Sequence, residues 1–223
     1  MTTTTAGPGT SVLAAFNAVL RRVHAGRPVS VTIRDGRGVD HRLDPAGWCR
    51  DRLPGDDALL ARCLGATLDV GCGPGRLTSA LNRLGSPALG IDVSAAAVRL
   101  ARARGAAALL RDVFAALPGS GRWQHLLLAD GNIGIGGDPH RLLARCRELL
   151  DRNGRIHVEL APPGTGSWSG QAILRVDEAV VGTPFGWAVL AADDLAAVAE
   201  ASALEALNVW TEAGRWFATL TPV

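Results

Sequence analysis

The chain lacks lysine altogether: all 23 basic residues are arginine, set against 21 acidic residues for a net charge of +2. An Arg-only, Ala-rich composition reads as codon bias rather than nucleic-acid affinity, because a nucleic-acid binder shows a larger or more clustered basic excess. Only four cysteines occur, at 49, 63, 72 and 146, and none are spaced as CxxC. That spacing excludes the common zinc and redox motifs and suits a reduced, cytoplasmic setting. No metal ligands are expected. The opening MTTTTAGPGTS is polar, without the basic and apolar regions of a signal peptide. No apolar run approaches the ~20 residues of a membrane span, so no membrane association is expected. Internal repeats are also missing.

What is present is one unusual turn, LDVGCGPGRL, Leu68 to Leu77. The apolar run Ala66–Val70 reads as a buried strand, and Arg76–Gly85, with Leu77, Leu81 and Leu84, has helical spacing. Between them stand Gly71, Gly73 and Gly75. A strand, a glycine turn and a helix bring backbone N–H groups and a helix N-terminus up to a ligand. The dinucleotide pattern G-x-G-x-x-G fails, since Arg76 or Thr78 falls where its last glycine belongs. The pattern here is D-x-G-x-G-x-G, beginning at Asp69.

Two more aspartates follow in register. Pro87–Ser94 reads as a second strand ending at Asp92, placed to accept hydrogen bonds from ribose hydroxyls. AALLRDV reads as a third strand with Asp112 at its tip, after a helix over Ala95–Arg104. Each aspartate alone is a plausible cap or turn former; one per successive βα unit points to a nucleoside site.

This arrangement resembles the class I S-adenosylmethionine (SAM)-dependent methyltransferases over residues 65–223. The resemblance implies an α/β fold: a doubly wound, mostly parallel seven-stranded sheet with an antiparallel last strand. It implies SAM as cofactor, held by Asp69, Gly71, Cys72, Gly73, Gly75, Asp92, Val93, Asp112, Val113 and Asp130. Cys72 reads as a small filler inside the turn. An aromatic or arginine before the first motif often reaches the methionine end in this family, which singles out Trp48, Arg50 and Arg52.

The fourth strand, Gln124 or His125 to Ala129, leads into DGNIGIGGD, Asp130–Asp138. The family's substrate-facing fourth motif falls on this segment. Asp130 and Asn132 are its polar side chains at the strand end, and they are the expected catalytic residues; the competing reading is that they bond their own backbone. No N-P-P-[YF] occurs, which argues against the amino-methylating DNA and protein-glutamine branches, and the acidic-His pair of some quinone and lipid relatives is missing.

Pro139–Leu150 reads as a helix capped by Asp138, with Arg141, Arg145 and Arg147 on a solvated face. RIHVELAPP is the fifth strand, and His157 within it reads as a satisfied core histidine. A helix capped by Asp193 or Asp194 and two strands about Ala213-Gly214 complete the domain. Ahead of it, residues 1–10 are expected to be disordered. Residues 11–64 hold a helix (Ser11 as N-cap, Gly26 as stop), a β-hairpin and a lead-in segment where Asp56 or Asp57 caps a short helix, Ala58–Cys63. Residues 11–44 of this stretch read as an N-terminal embellishment, either a lid or substrate wall, or an extra sheet or dimer surface, which leaves a homodimer open. Residues 164–187 include strand-like alternation able to cover a site. The expected activity is methyl transfer to a small-molecule acceptor. The alternatives are an RNA or protein methyltransferase, or a SAM-binding module without catalysis; nucleic acid is not an expected partner.

Overall fold

The computed structural model describes residues 11–223; the disorder expected of residues 1–10 lies outside them. In chain order the elements are α1 (Val12–His24), β1 (Val31–Arg34), β2 (Asp40–Leu43), α2 (Pro45–Trp48), α3 (Asp56–Leu60), β3 (Thr67–Val70), α4 (Arg76–Arg83), β4 (Ala88–Asp92), α5 (Ala95–Ala103), β5 (Ala108–Leu110), β6 (Trp123–Leu128), α6 (Pro139–Leu149), β7 (Leu150–Leu160), β8 (Trp168–Val176), β9 (Ala179–Val189), α7 (Leu195–Ala201), β10 (Leu204–Glu212) and β11 (Arg215–Pro222).

Seven strands form the main sheet, in the order β10-β11-β7-β6-β3-β4-β5. β5, β4, β3, β6 and β7 run parallel, and β11 turns antiparallel against both β7 and β10. The order reverses between β3, which leads outward to β4 and β5, and β6, which lies on its other side. This is the switch point at which open α/β sheets place ligands, outside the carboxyl ends of the strands. All four residues of β3 are buried, as a parallel strand covered on both faces requires. The largest apolar cluster joins Leu68, Leu126, Leu128, Ile156 and Val158 of the sheet to Leu142, Leu143 and Leu149 of α6.

Local signals acted as the sequence implies at several ends. Ser11 accepts from the Ala14 N–H (3.2 Å), and Asp138 accepts from Arg141 N–H (3.0 Å) with Pro139 at the first helical position. Others differ. Gly55, at φ 90°, precedes α3, so Asp56 is its first residue and not its cap. Asp194 makes no side-chain cap bond; the Asp193 carboxylate instead accepts from the Gly164 N–H at 2.6 Å. β7 starts directly after α6 at Leu150, earlier than the expected Arg155. A register shift opposite Trp123 and His125 accommodates the intervening Asn153-Gly154.

The expected N-terminal hairpin forms, but not alone. β1 pairs β2 on one edge and β8 on the other, giving a second sheet of order β2-β1-β8-β9. Residues 31–43 and 168–189 thus build one structure. α1 packs on it through Ala15 and Val19, which join Ile33, Leu174 and Val181 in a second core. Asn17 of α1 also reaches the main domain: its Oδ1 accepts from the Ser94 hydroxyl (2.8 Å) and the Ala96 N–H (2.9 Å) at the start of α5.

Candidate active site

A cavity of about 220 Å³ opens at the carboxyl ends of β3, β4 and β6, beneath α1 and β9. The glycine turn forms its floor. Gly71, Gly73 and Gly75 have φ values of 72°, 53° and 80°, a region other residues rarely adopt. Two of them also meet close neighbours: a Cβ on Gly71 would lie 2.7 Å from the Asn132 side-chain amide, and one on Gly75 would lie 2.7 Å from Ala101 Cβ. Cys72 fills space behind the turn, where its Sγ would sit 2.6 Å from a Cβ on Gly90. Burial drives its thiol pKa upward, so it is an inert filler.

The aspartates expected to hold the nucleoside line this cavity together with Val93 and Val113. The Asp92 carboxylate accepts from the Gly73 N–H (2.9 Å) and the Ser94 N–H (2.7 Å), tying the second strand to the glycine turn. Burial raises its pKa. Asp112 accepts from the Phe114 N–H at 2.9 Å. Asp69 lies deeper: it is 2 % exposed, accepts from the Thr78 hydroxyl at 2.6 Å, and burial pushes its pKa up to about 6.

At the end of β6 the chain turns sharply, with Asp130 at φ 55° and Gly131 at φ 83°. Asn132 donates through Nδ2 to the carbonyls of Val70 and Gly71, both at 2.9 Å, and so clamps the loop to the glycine turn. Asp130 is the outer member of an ionic cluster. It contacts Arg76 at 2.5 Å and Arg215 at 3.3 Å. Arg76 also pairs with Asp56, and Arg215 bridges Asp56 (2.9 Å) and grips Glu159 with two N–H groups (2.9 and 2.8 Å). Glu159 in turn accepts from the Asp130 backbone N–H at 2.6 Å. Burial opposes the charge on Asp56, but Arg76, the Leu53 N–H and Arg215 together hold its pKa below the usual carboxylate value.

Three carboxylates face two guanidiniums in this cluster, leaving one net negative charge. Arg76 and Asp56 are sealed at 3 % and 1 % side-chain exposure, whereas Asp130 keeps 26 % toward the cavity. The cavity wall therefore presents carboxylate to a ligand at this end, while the one sealed guanidinium is committed to other partners.

Of the three residues proposed ahead of the first motif, Trp48 lines the cavity, and Arg50 and Arg52 do not. Arg52 pairs with Asp57 at the surface, and the Arg50 carbonyl accepts from Arg104. The buried arginine of the site is Arg76, directly after Gly75, and nothing in the sequence reading singled it out. Its position in the first turn of a helix behind a glycine turn is the signal that was available. Arg145 also departs from expectation: it donates to the Val113 and Ala115 carbonyls (2.9 and 2.8 Å), bracing the segment after β5. His157 behaves as the sequence implies, 2 % exposed and bonded at both ring nitrogens, to His125 (3.1 Å) and Thr219 (3.0 Å). Among the described residues no cluster of His, Cys, Asp and Glu suits a metal ion.

Comparison with known proteins agrees with this geometry. A family model described as a methyltransferase domain matches residues 67–154, which run from β3 into β7. No curated protein sequence matches the chain. Among solved structures, a SAM-dependent methyltransferase from Bacteroides fragilis, in complex with S-adenosylhomocysteine (SAH), superposes with a TM-score of 0.75 at 21% identity, covering 98% of each chain. The 1,6-didemethyltoxoflavin-N1-methyltransferase of Burkholderia thailandensis gives 0.58 at 17% identity, over 100% of this chain and 93% of that one. A glycopeptide N-methyltransferase gives 0.59 at 15% identity, over 82% and 98%. Residues 67–154 thus match the methyltransferase-domain family, and the chain as a whole has the fold of the class I SAM-dependent methyltransferases.

Proposed function

We propose that the protein binds SAM in this cavity and transfers its methyl group to a small-molecule acceptor. The observation that carries the reading is the ring of carboxylates, Asp92, Asp112 and Asp130, around one glycine turn whose sealed guanidinium, Arg76, is already paired. A dinucleotide brings phosphates and wants free N–H groups and cations; a nucleoside with an ammonium and a sulfonium wants hydroxyl acceptors and negative charge. The residues present fit the second ligand. Asp92 would take the ribose hydroxyls, Val93 and Val113 would flank the base, and Asp112 would meet its amino group. Asp130 would hold the methionine ammonium with its exposed edge.

When bound, SAM supplies an already activated methyl group. The protein's task is then chiefly alignment, and orientation of reactants contributes on the order of 7–11 kcal/mol. We assign Asp130 and Asn132 to that task. Asn132 fixes the loop against Gly71, and Asp130 is held by Arg76 and Arg215. Both side chains line the cavity at the end of β6, where the acceptor must approach. Two similar structures are named for methylating a small heterocycle and a glycopeptide. Among the described residues no helix is long and apolar enough to cross a membrane.

Calorimetry tests the cofactor. SAM and SAH should bind in the micromolar range while NAD gives no heat; NAD binding with no response to SAM overturns the reading. Asp92→Ala should lose roughly 1.5–3 kcal/mol of SAM affinity with the fold intact. Tritiated SAM with cell extract then separates a small labelled product from a macromolecular one or none.

A further inference from the structure

Besides the residues proposed to meet the cofactor, the cavity's lining includes an apolar set from the second sheet, α1 and the loop after β6. Leu13 and Phe16 of α1, Leu43 at the end of β2, Ile135 of the loop after β6 and Trp187 of β9 form it. Phe16 and Trp187 belong to one packed cluster with the core of the second sheet. Trp187 also abuts the loop at the transfer end, its ring 3.8 Å from where a Cβ on Gly131 would stand. None of these five residues carries a charge.

The ionisable groups elsewhere in the wall are committed. Asp69 is sealed against Thr78, Asp92 holds two backbone N–H groups, Asp112 holds one, and Asp130 contacts two arginines. Cys72 is buried, Arg76 lies in the ionic cluster, and Arg111 sits exposed at the mouth. Among the described residues no histidine or glutamate lines the cavity. The chain contains no lysine or tyrosine, and residues 1–10 contain no ionisable side chain. With Asp92, Asp112 and Asp130 taken up by the cofactor, as proposed above, the described residues leave no further side chain in the wall to take a proton from the acceptor before transfer.

We propose that the acceptor is a neutral, planar heteroaromatic molecule, methylated at a ring nitrogen that is unprotonated at neutral pH. This rests on the SAM reading above. An alcohol would need a base, and a thiolate or phenolate would enter an apolar chamber whose buried cation, Arg76, is already paired and whose other, Arg111, lies exposed at the mouth, so its charge would be desolvated at a heavy cost. A ring nitrogen needs neither. Its lone pair forms the N–C bond as the S–C bond breaks and the bonding electrons return to sulfur, so the positive charge passes from sulfur to the methylated ring; a ring with an N–H at another position then releases that proton to water. Phe16 and Trp187 offer the ring its flat apolar walls, since aromatic pairs favour offset or edge-to-face contact.

The test uses isoquinoline as probe, with 1-naphthoate as its anionic counterpart and cyclohexylamine as a cationic, non-aromatic one. SAH is titrated first by calorimetry; a protein that does not bind it has lost the cofactor reading, and this proposal with it. On the SAH-saturated protein, isoquinoline should bind and each charged probe should bind at least about ten-fold more weakly, because its charge would be desolvated without a partner. Trp187→Ala should weaken isoquinoline by about ten-fold, in the range set by losing apolar contact in a pocket. Trp187→Phe, which keeps a ring, should restore most of it, and SAH affinity should hold in both. A SAH-binding protein that ignores isoquinoline, prefers naphthoate, or binds isoquinoline equally well as Trp187→Ala overturns the proposal.

Discussion

One face of β7 carries two polar residues two positions apart, His157 and Glu159, and the sheet treats them in opposite ways. Glu159 joins an ionic cluster with Arg215, Asp130, Asp56 and Arg76. His157 joins a neutral chain with His125 and Thr219, and burial with the neighbouring His125 holds its pKa down at about 3. The difference lies in what surrounds each. Glu159, Arg215 and Asp130 keep 16 %, 17 % and 26 % of their side chains exposed, Asp130 in the cavity wall, and each has an opposite charge in contact. His157 has neither an opening nor a carboxylate partner, so uncharged rings are the form that fits. Charge is retained where the groups are partly exposed and paired with opposite charge, and suppressed where the contact is sealed and has none.

The comparison breaks most severely at Arg76. Replacing it by Met leaves Asp56, 1 % exposed, with Arg215 as its single cation. Removing one partner of a buried pair costs about 3–5 kcal/mol, to be read as a drop in urea midpoint. Arg76→Lys should recover only part, because a point charge cannot span Asp56 and Asp130 as a fork does. A loss below about 1 kcal/mol for Arg76→Met would mean the cluster is not the support it resembles.

Asp69 sharpens the comparison, being a carboxylate at the site end without a cation in contact. Its folded pKa of about 6 lies above the unfolded value near 3.9. Its favourable contribution is therefore present below pH ~3.9 and lost as pH rises through about 6. Asp69→Asn, still able to accept from Thr78, should remove that loss, raising stability at pH 7 by at most roughly 3 kcal/mol. Denaturant midpoints of both proteins from pH 4 to 8 check it, and parallel profiles would refute it.

His157 has the opposite sign. Its folded pKa lies below the unfolded ~6.5, so its contribution is present above that pH and lost as pH falls toward 3. Between pH 6.5 and 5 this amounts to about 2 kcal/mol, and the slope should be missing from His157→Gln, whatever that variant's absolute stability. The smallest effect belongs to Asn132→Ala. It should weaken SAM binding by about 1 kcal/mol through a looser glycine turn, with little change in melting temperature. An equal loss of both would make Asn132 a fold residue alone.

The elements that position the site were legible because their signals are local. Gly71, Gly73 and Gly75 sit where the backbone needs positive φ, Asp92 and Asp112 follow apolar runs, and Asp138-Pro139 announces α6. What was not legible depends on partners far along the chain. Asp56 read as a helix cap, yet it faces Arg76 and Arg215, and Arg215 stood in a strand pair with no motif to mark it. Apolar alternation pointed to strands in residues 31–43 and within 164–187 but not to a sheet they share, because a period of two says which face is buried and not against whom.

That shared sheet also dictates an order of assembly. β1 pairs β2 within a dozen residues, but its other edge waits for β8, whose register matches Val31 to Val176. A two-stranded hairpin alone is marginal in water. As the chain leaves the ribosome, the glycine turn and its three carboxylates are complete well before the strands that cover them. The pocket's floor is thus laid early, and its roof closes only after about four-fifths of the chain has been synthesised.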